Sequence, residues 1–219
     1  MKIPLKIACI DLEGVLTPEI WPFISQQTAI PALSLTTREY PNYYALMKKR
    51  IAILRKHNIT LEKLESMISD LQPLPGAVDF LNAIRQYYDI QIISDCFHEI
   101  ADGILTRLGN PVAMCHRFIM DNAGFIVDCA FAPRRGKEDV VTQFLDSGAT
   151  VLAVGDAFND IAMLEKATYG FLINPSSQTR MAAPHLRTVN NLSDITSAIL
   201  MQEKYPPRRR HKSVTTHNR

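Results

Sequence analysis
Two kinds of hydrophobic pattern alternate along most of this chain. Short unbroken apolar runs read as strands buried on both faces: residues 7–11 within IACIDLEGVLT, then DIQIISD, ATVLAVGD and YGFLINP. Between and after them come helix-period segments: VDFLNAIRQYY, residues 100–108, EDVVTQFLDSG opened by Lys137 and closed by Gly148, NDIAMLEKA, and residues 192–203. Strands alternating with helices predict a three-layer α/β core with a parallel sheet covered on both sides. Two stretches depart from the rule. HRFIMDNAGFIVDCAF reads as a hairpin turning at residues 121–124. Residues 18–74 show no strand pattern; they run to a turn at Pro22 and then offer helices over 26–33, 43–55 and 60–71. Thr60 is a good N-cap, and prolines 73 and 75 stop the last helix. That block is too long for a crossover, so it is expected to be an inserted helical cap. Residues 1–17 and 75–203 then form the core.

The predicted strand ends deliver acids. Asp11 and Glu13 leave the first strand, followed at once by Gly14. Ser94 and Asp95 end the second, and Asp156 and Asp160 follow the third. A carboxylate is costly in a dry apolar run, so Asp11 belongs where the strand leaves the sheet. In open α/β sheets that edge binds ligands. Carboxylates this close repel unless a cation lies between them, and a hard divalent ion suits oxygen ligands. Taken alone, the 7–17 stretch is equally well a strand end and a solvated turn. Together with Ser94 and Lys137 it has the residue types of phosphoryl transfer: a carboxylate nucleophile, ligands for Mg²⁺, and a hydroxyl, backbone N–H groups and a lysine to hold phosphoryl oxygens.

Composition narrows the class. With 219 residues and 47% hydrophobic side chains, the chain can bury a large core. No apolar run approaches the roughly 20 residues of a membrane span, and no signal peptide is visible. Cys9, Cys96, Cys115 and Cys129 show no CxxC spacing and read as reduced thiols of a cytoplasmic protein. The net charge of +2 hides an asymmetry: from Lys204 onward there are six Lys or Arg and no acids, whereas the preceding 203 residues are net acidic. The tail, residues 204–219, reads as disordered and solvated; nucleic-acid binding is disfavoured, because no aromatic interleaving accompanies the charge.

In order and spacing, DLEGVLT at 11–17, Ser94-Asp95, Lys137 and GDAFNDIAML at 155–164 resemble the haloacid dehalogenase superfamily, and within it the phosphoserine phosphatases. KKRI at 48–51 and LEKLESMISDLQPLPGA are similar to the helical cap of those enzymes. With Asp-Leu-Glu in place of Asp-x-Asp, and PEIW after it, the chain most resembles the bifunctional branch, which also passes the phosphoryl group of phosphoserine to homoserine. The resemblance implies a Rossmann-like core and a role in serine and threonine biosynthesis. It implies Asp11 as nucleophile, Glu13 as general acid/base, and Asp11, the Glu13 carbonyl and Asp156 around Mg²⁺, with Asp160 bracing. Ser94, Lys137, Asn159 and the Asp95 N–H would hold phosphoryl oxygens. Glu19 and Arg50 would grip the amine and carboxylate of phosphoserine. A homodimer is compatible with all of this.

Plainer readings stand beside these roles. Ser94 could cap a helix, Lys137 could be a surface lysine, and Arg50 and Glu19 could be solvated charges. Met47 and Tyr43 read as packing residues, His98 and His116 as structural, and Cys96 as a bystander. A different small phosphomonoester, or a weakly catalytic ligand-binding regulator of the same fold, are the competing functions. Glu13 is the main departure from the family pattern, since displacing a reacting group by about 1 Å can cost about 100-fold in rate.

Overall fold
In the computed structural model, which describes residues 5–36 and 42–204, β1 (Lys6–Ile10) is the middle strand of a seven-stranded sheet. The strands are β1, β2 (Asp89–Phe97), β3 (Val112–Met120), β4 (Ile126–Ala130), β5 (Thr150–Gly155), β6 (Tyr169–Ile173) and β7 (Arg187–Val189), in the order β4-β3-β2-β1-β5-β6-β7. Every neighbouring pair is parallel except β3 with β4, the expected hairpin. Gly124 takes φ +78° at its turn. The order reverses at β1, which has β2 on one side and β5 on the other. A crevice therefore opens at the carboxyl ends of these three strands.

Around β1 and β5 both faces of the sheet are dry because alternate side chains of each strand serve opposite layers. Ala8, Ile10, Leu152 and Val154 join one buried cluster with α4 (Ala77–Ile84), α5 (His98–Arg107) and α9 (Leu192–Lys204). Ile7, Cys9, Val151 and Ala153 join another with Val140 and Val141 of α6 (Lys137–Asp146) and Met163 and Leu164 of α7 (Ile161–Lys166). The chain is a Rossmann-like three-layer α/β fold.

Within residues 18–74 lie α1 (Ile20–Thr28), a 3-10 turn (Pro31–Ser34), α2 (Tyr43–Lys56) and α3 (Leu61–Ile68). Asn42 and Thr60 cap α2 and α3 through Ala45 N–H and Lys63 N–H. The helix expected over 26–33 is displaced. It starts at Ile20, runs through Pro22, and stops at Ala29 in the left-handed region. Pro22 is tolerated because first-turn N–H groups have no intrahelical partner to lose. Buried residues of this stretch, including Ile20, Ile24, Met47 and Leu54, belong to the same cluster as Ile10 and Val154.

Two further differences concern the ends of elements. β2 continues past Ser94 to Phe97, with a shift in its register against β3 between Ile93 and Phe97. The short α8 (Ser177–Ala182) and β7 were not anticipated. The basic tail lies outside the described residues, apart from Lys204, which ends α9.

Candidate active site
The parallel pairing of β1 with β5 sets the site. Asp11 N–H still donates to the Val154 carbonyl (2.9 Å), so Asp11 leaves the sheet beside the end of β5, one residue short of Asp156. One carboxylate oxygen from each of Asp11, Asp156 and Asp160 lies within 4.8 Å of the others. Gly14 makes this approach possible. It sits at φ +76°, and a β-carbon there would overlap the Asp156 carboxylate. Gly155 likewise leaves room for the side chain of Asp160.

Lys137, the first residue of α6, reaches into the cluster. Its Nζ lies 2.7 Å from Asp11 Oδ2 and 2.7 Å from Asp160 Oδ1, and the side chain is buried. Burial works against its charge, but Asp11, Asp160 and Asp95 outweigh that and hold its pKa above the ordinary lysine value. Burial, with Asp160 next, pushes Asp11 well above the usual carboxylate range, and Lys137 pulls it back. The same two causes and Glu19 take Asp156 up to about 7. Three acids thus face a single ammonium group. The excess negative charge and the all-oxygen donor set fit a hard divalent cation. Within the cluster Asp160 is already committed: its second oxygen accepts from the N–H groups of Asp156 (3.0 Å) and Ala157 (3.1 Å), so it braces the turn. Asp11 is engaged as well, Oδ1 accepting from Leu12 N–H (2.7 Å) and Oδ2 facing Lys137, and the three acids together could hold an ion.

Glu13 uses its extra methylene. Its Oε1 accepts from Ile20 N–H at 2.6 Å, which caps α1 from seven residues upstream. The N-cap residue, Glu19, makes no such bond. Burial, then Glu19, raises the Glu13 carboxyl to about 7, against the pull of the Ile20 N–H, Arg50 and Lys137. A group poised there can both give and take a proton near neutral pH. Glu19 is raised by burial and pulled back by Lys137 and Arg50. Arg50 is buried with its guanidinium 4.3 Å above the Trp21 ring; Nη2 donates to the Leu35 carbonyl (2.7 Å), and Nε has no hydrogen-bond partner among the described residues. Burial lowers it to about 10, so it remains charged.

Ser94 is buried, and its Oγ accepts from Cys96 N–H (3.1 Å). Asn159 lies at the same edge, but here its amide donates to Asp95 Oδ2 (2.9 Å). Three neighbours of Asp95 have no sequence signature. Arg134 Nη2 donates to both Asp95 Oδ1 (2.8 Å) and the Ser94 carbonyl (2.9 Å). His116 Nε2 stands 3.6 Å from Asp95 Oδ1. Tyr43 Oη donates to the Asp95 carbonyl at 2.6 Å. Burial works against the Asp95 charge, but Lys137, then Arg134 and the Asn159 amide, outweigh it and hold the carboxyl below the usual range.

Residues 5–168 match the haloacid dehalogenase-like hydrolases. The chain belongs to that family. A phosphoserine phosphatase of Pseudomonas syringae pv. tomato is 36% identical over 191 residues, 87% of this chain and 81% of that protein. Phosphoserine phosphatase ThrH of Pseudomonas aeruginosa is also 36% identical over 191 residues, 87% of this chain and 93% of its own. Among solved structures, a phospho-aspartyl intermediate analogue of phosphoserine phosphatase superposes with a TM-score of 0.74 at 19% identity, covering 90% of this chain and 99% of that one. The T. onnurineus phosphoserine phosphatase in complex with NDSB-201 gives 0.70 at 22% identity, covering 90% and 94%. These two likenesses speak for the fold of this hydrolase.

Proposed function
We propose that this hydrolase is a Mg²⁺-dependent phosphoserine phosphatase that forms an aspartyl-phosphate on Asp11 and also passes the phosphoryl group to homoserine. The observation that carries the reading is the meeting of Asp11, Asp156 and the Lys137 ammonium at the end of β1. Two curated relatives named phosphoserine phosphatase, one of them ThrH, support the choice of substrate.

Bound Mg²⁺ would be held by Asp11, Asp156 and the Glu13 carbonyl, and would offset the charge of the phosphoryl oxygens. Ser94, Lys137, Asn159 and the Asp95 N–H hold those oxygens. Asp11 attacks phosphorus; the bond to the seryl oxygen breaks, and that oxygen leaves with the Glu13 proton. Glu13 then takes a proton from water or the homoserine hydroxyl, whose oxygen attacks phosphorus and frees the Asp11 carboxylate. Arg50 and Glu19 grip the carboxylate and amine of phosphoserine, and residues 18–74 act as the cap that carries them. The reading extends to a cytoplasmic enzyme of amino-acid biosynthesis.

The test is a panel of small phosphomonoesters with Mg²⁺, with and without homoserine. Phosphoserine should rank near the top, homoserine should divert phosphoryl from water, and Asp11→Asn should abolish turnover and beryllofluoride trapping. Glu13→Asp should lose the Ile20 contact and shift the partition between acceptors. A low rank for phosphoserine overturns the substrate; an unchanged partition removes Glu13 from acceptor choice.

A further inference from the structure
The peptides at 94–96 fall where the β2–β3 register shifts, so neighbouring groups other than the strand ladder are needed to set their orientation. Side chains supply the restraint. Arg134 pins the Ser94 carbonyl and the Asp95 carboxylate, and Asn159 pins the other Asp95 oxygen. The remaining anchor comes from the insertion: Tyr43, the first residue of α2, donates to the Asp95 carbonyl at 2.6 Å. Its ring lies against His116 and Phe131, with centroids 5.9 and 5.6 Å away.

We propose that Tyr43 is a positioning residue that aims the Ser94 hydroxyl at the phosphoryl group, acting through the Asp95–Cys96 peptide. The proposal rests on the reading above in one respect, that Ser94 holds a phosphoryl oxygen. A peptide unit is planar, so fixing the Asp95 carbonyl fixes the direction of the Cys96 N–H. That N–H donates to Ser94 Oγ. A serine hydroxyl accepts two hydrogen bonds but donates one. With the Cys96 N–H on one acceptor position, the Ser94 hydroxyl keeps its proton for donation. Among the described residues it finds no protein acceptor. The phenol is kept as a donor, since burial, with Asp95 next, raises its pKa well above the ordinary tyrosine value. A residue of the insertion thereby orders a phosphate-holding group of the core. The organic half of the substrate is not involved.

The test is a double-mutant cycle of Tyr43→Phe and Ser94→Ala in the full chain with Mg²⁺. It is read as p-nitrophenyl phosphate turnover and as vanadate affinity by calorimetry. Tyr43→Phe keeps the ring and its contacts. It should weaken vanadate by about tenfold, the scale of one hydrogen bond, and lower kcat, while inhibition by L-serine stays unchanged. In the Ser94→Ala background it should cost nothing more. Equal losses in both backgrounds, an unmoved vanadate affinity, or a parallel loss for L-serine would overturn the proposal. Should Tyr43→Phe unfold, Arg134→Gln tests the neighbouring peptide in the same cycle. Failure of phosphoserine as substrate leaves the p-nitrophenyl phosphate and vanadate arms of the cycle readable, because neither of those probes contains an amino acid; the L-serine arm alone then falls away.

Discussion

Lys137 is buried between two carboxylates, and its removal is more than the loss of a contact. Lys137→Met keeps the aliphatic volume but strands Asp11 and Asp160 without their counter-charge. Breaking one side of a buried ion pair typically costs about 3–5 kcal/mol. The variant should be less stable by that order, more so as pH rises and Asp11 ionises, and Mg²⁺ should restore part of the loss. Urea midpoints across pH, with and without Mg²⁺, check this; a pH-independent loss that Mg²⁺ leaves untouched would count against it. Much of the site at this scale was readable beforehand. Asp11, Lys137 and Asp156 each sit at a strand end or helix start, where local pattern marks them; Ser94 was read as a strand end too, although β2 runs on to Phe97. Arg134 was not readable. It stands beside Arg135, with 5% of its side chain exposed against 93% for its neighbour, and nothing in PRRGK separates the two.

Among the elements, the turn after β1 carries a double constraint, a positive φ and a carboxylate where a β-carbon would lie. Gly14→Ala must hold a positive φ and displace the Asp156 carboxylate. The backbone penalty is about 1–2 kcal/mol, a modest fall in thermal midpoint. The displacement acts on function, so the Mg²⁺ concentration needed for half-maximal activity should rise steeply. Unchanged Mg²⁺ dependence would show that Asp156 does not need its observed place. β1, β2, β5 and β6 were legible from their apolar runs, and β3 with β4 from the turn between them. α8 and β7 escaped because six and three residues carry too little periodicity to register. The start of α1 was misplaced because Pro22 reads as a stop in isolation; it is harmless in a first turn whose Ile20 N–H is taken by Glu13.

Over the whole molecule, contacts between distant segments decide behaviour that local pattern does not reveal. His116 on β3 accepts from Ala132 N–H at Nδ1, which leaves a neutral ring with its proton on Nε2 toward Asp95. Burial lowers its pKa from 6.5 to about 4; Arg134 and Lys137 add to this, and Asp95 opposes it. Between these values the unfolded chain binds the proton and the folded chain does not, so His116 withdraws stability as pH falls from 6.5 toward about 4. Glu13 and Asp156, both raised, contribute the opposite slope, so the readout is the difference from His116→Asn, which should gain stability relative to the parent protein as pH falls through that window. Parallel profiles would contradict it. The four cysteines are free and buried, from the central strand (Cys9) to the sheet's edge (Cys129). Burial pushes Cys9 up to about 12, so its thiolate is scarce as well as hidden. An alkylating reagent can therefore modify these sulfurs only as the structure comes apart around them, and the sequence in which they are consumed, rim before centre, would chart how this protein unravels.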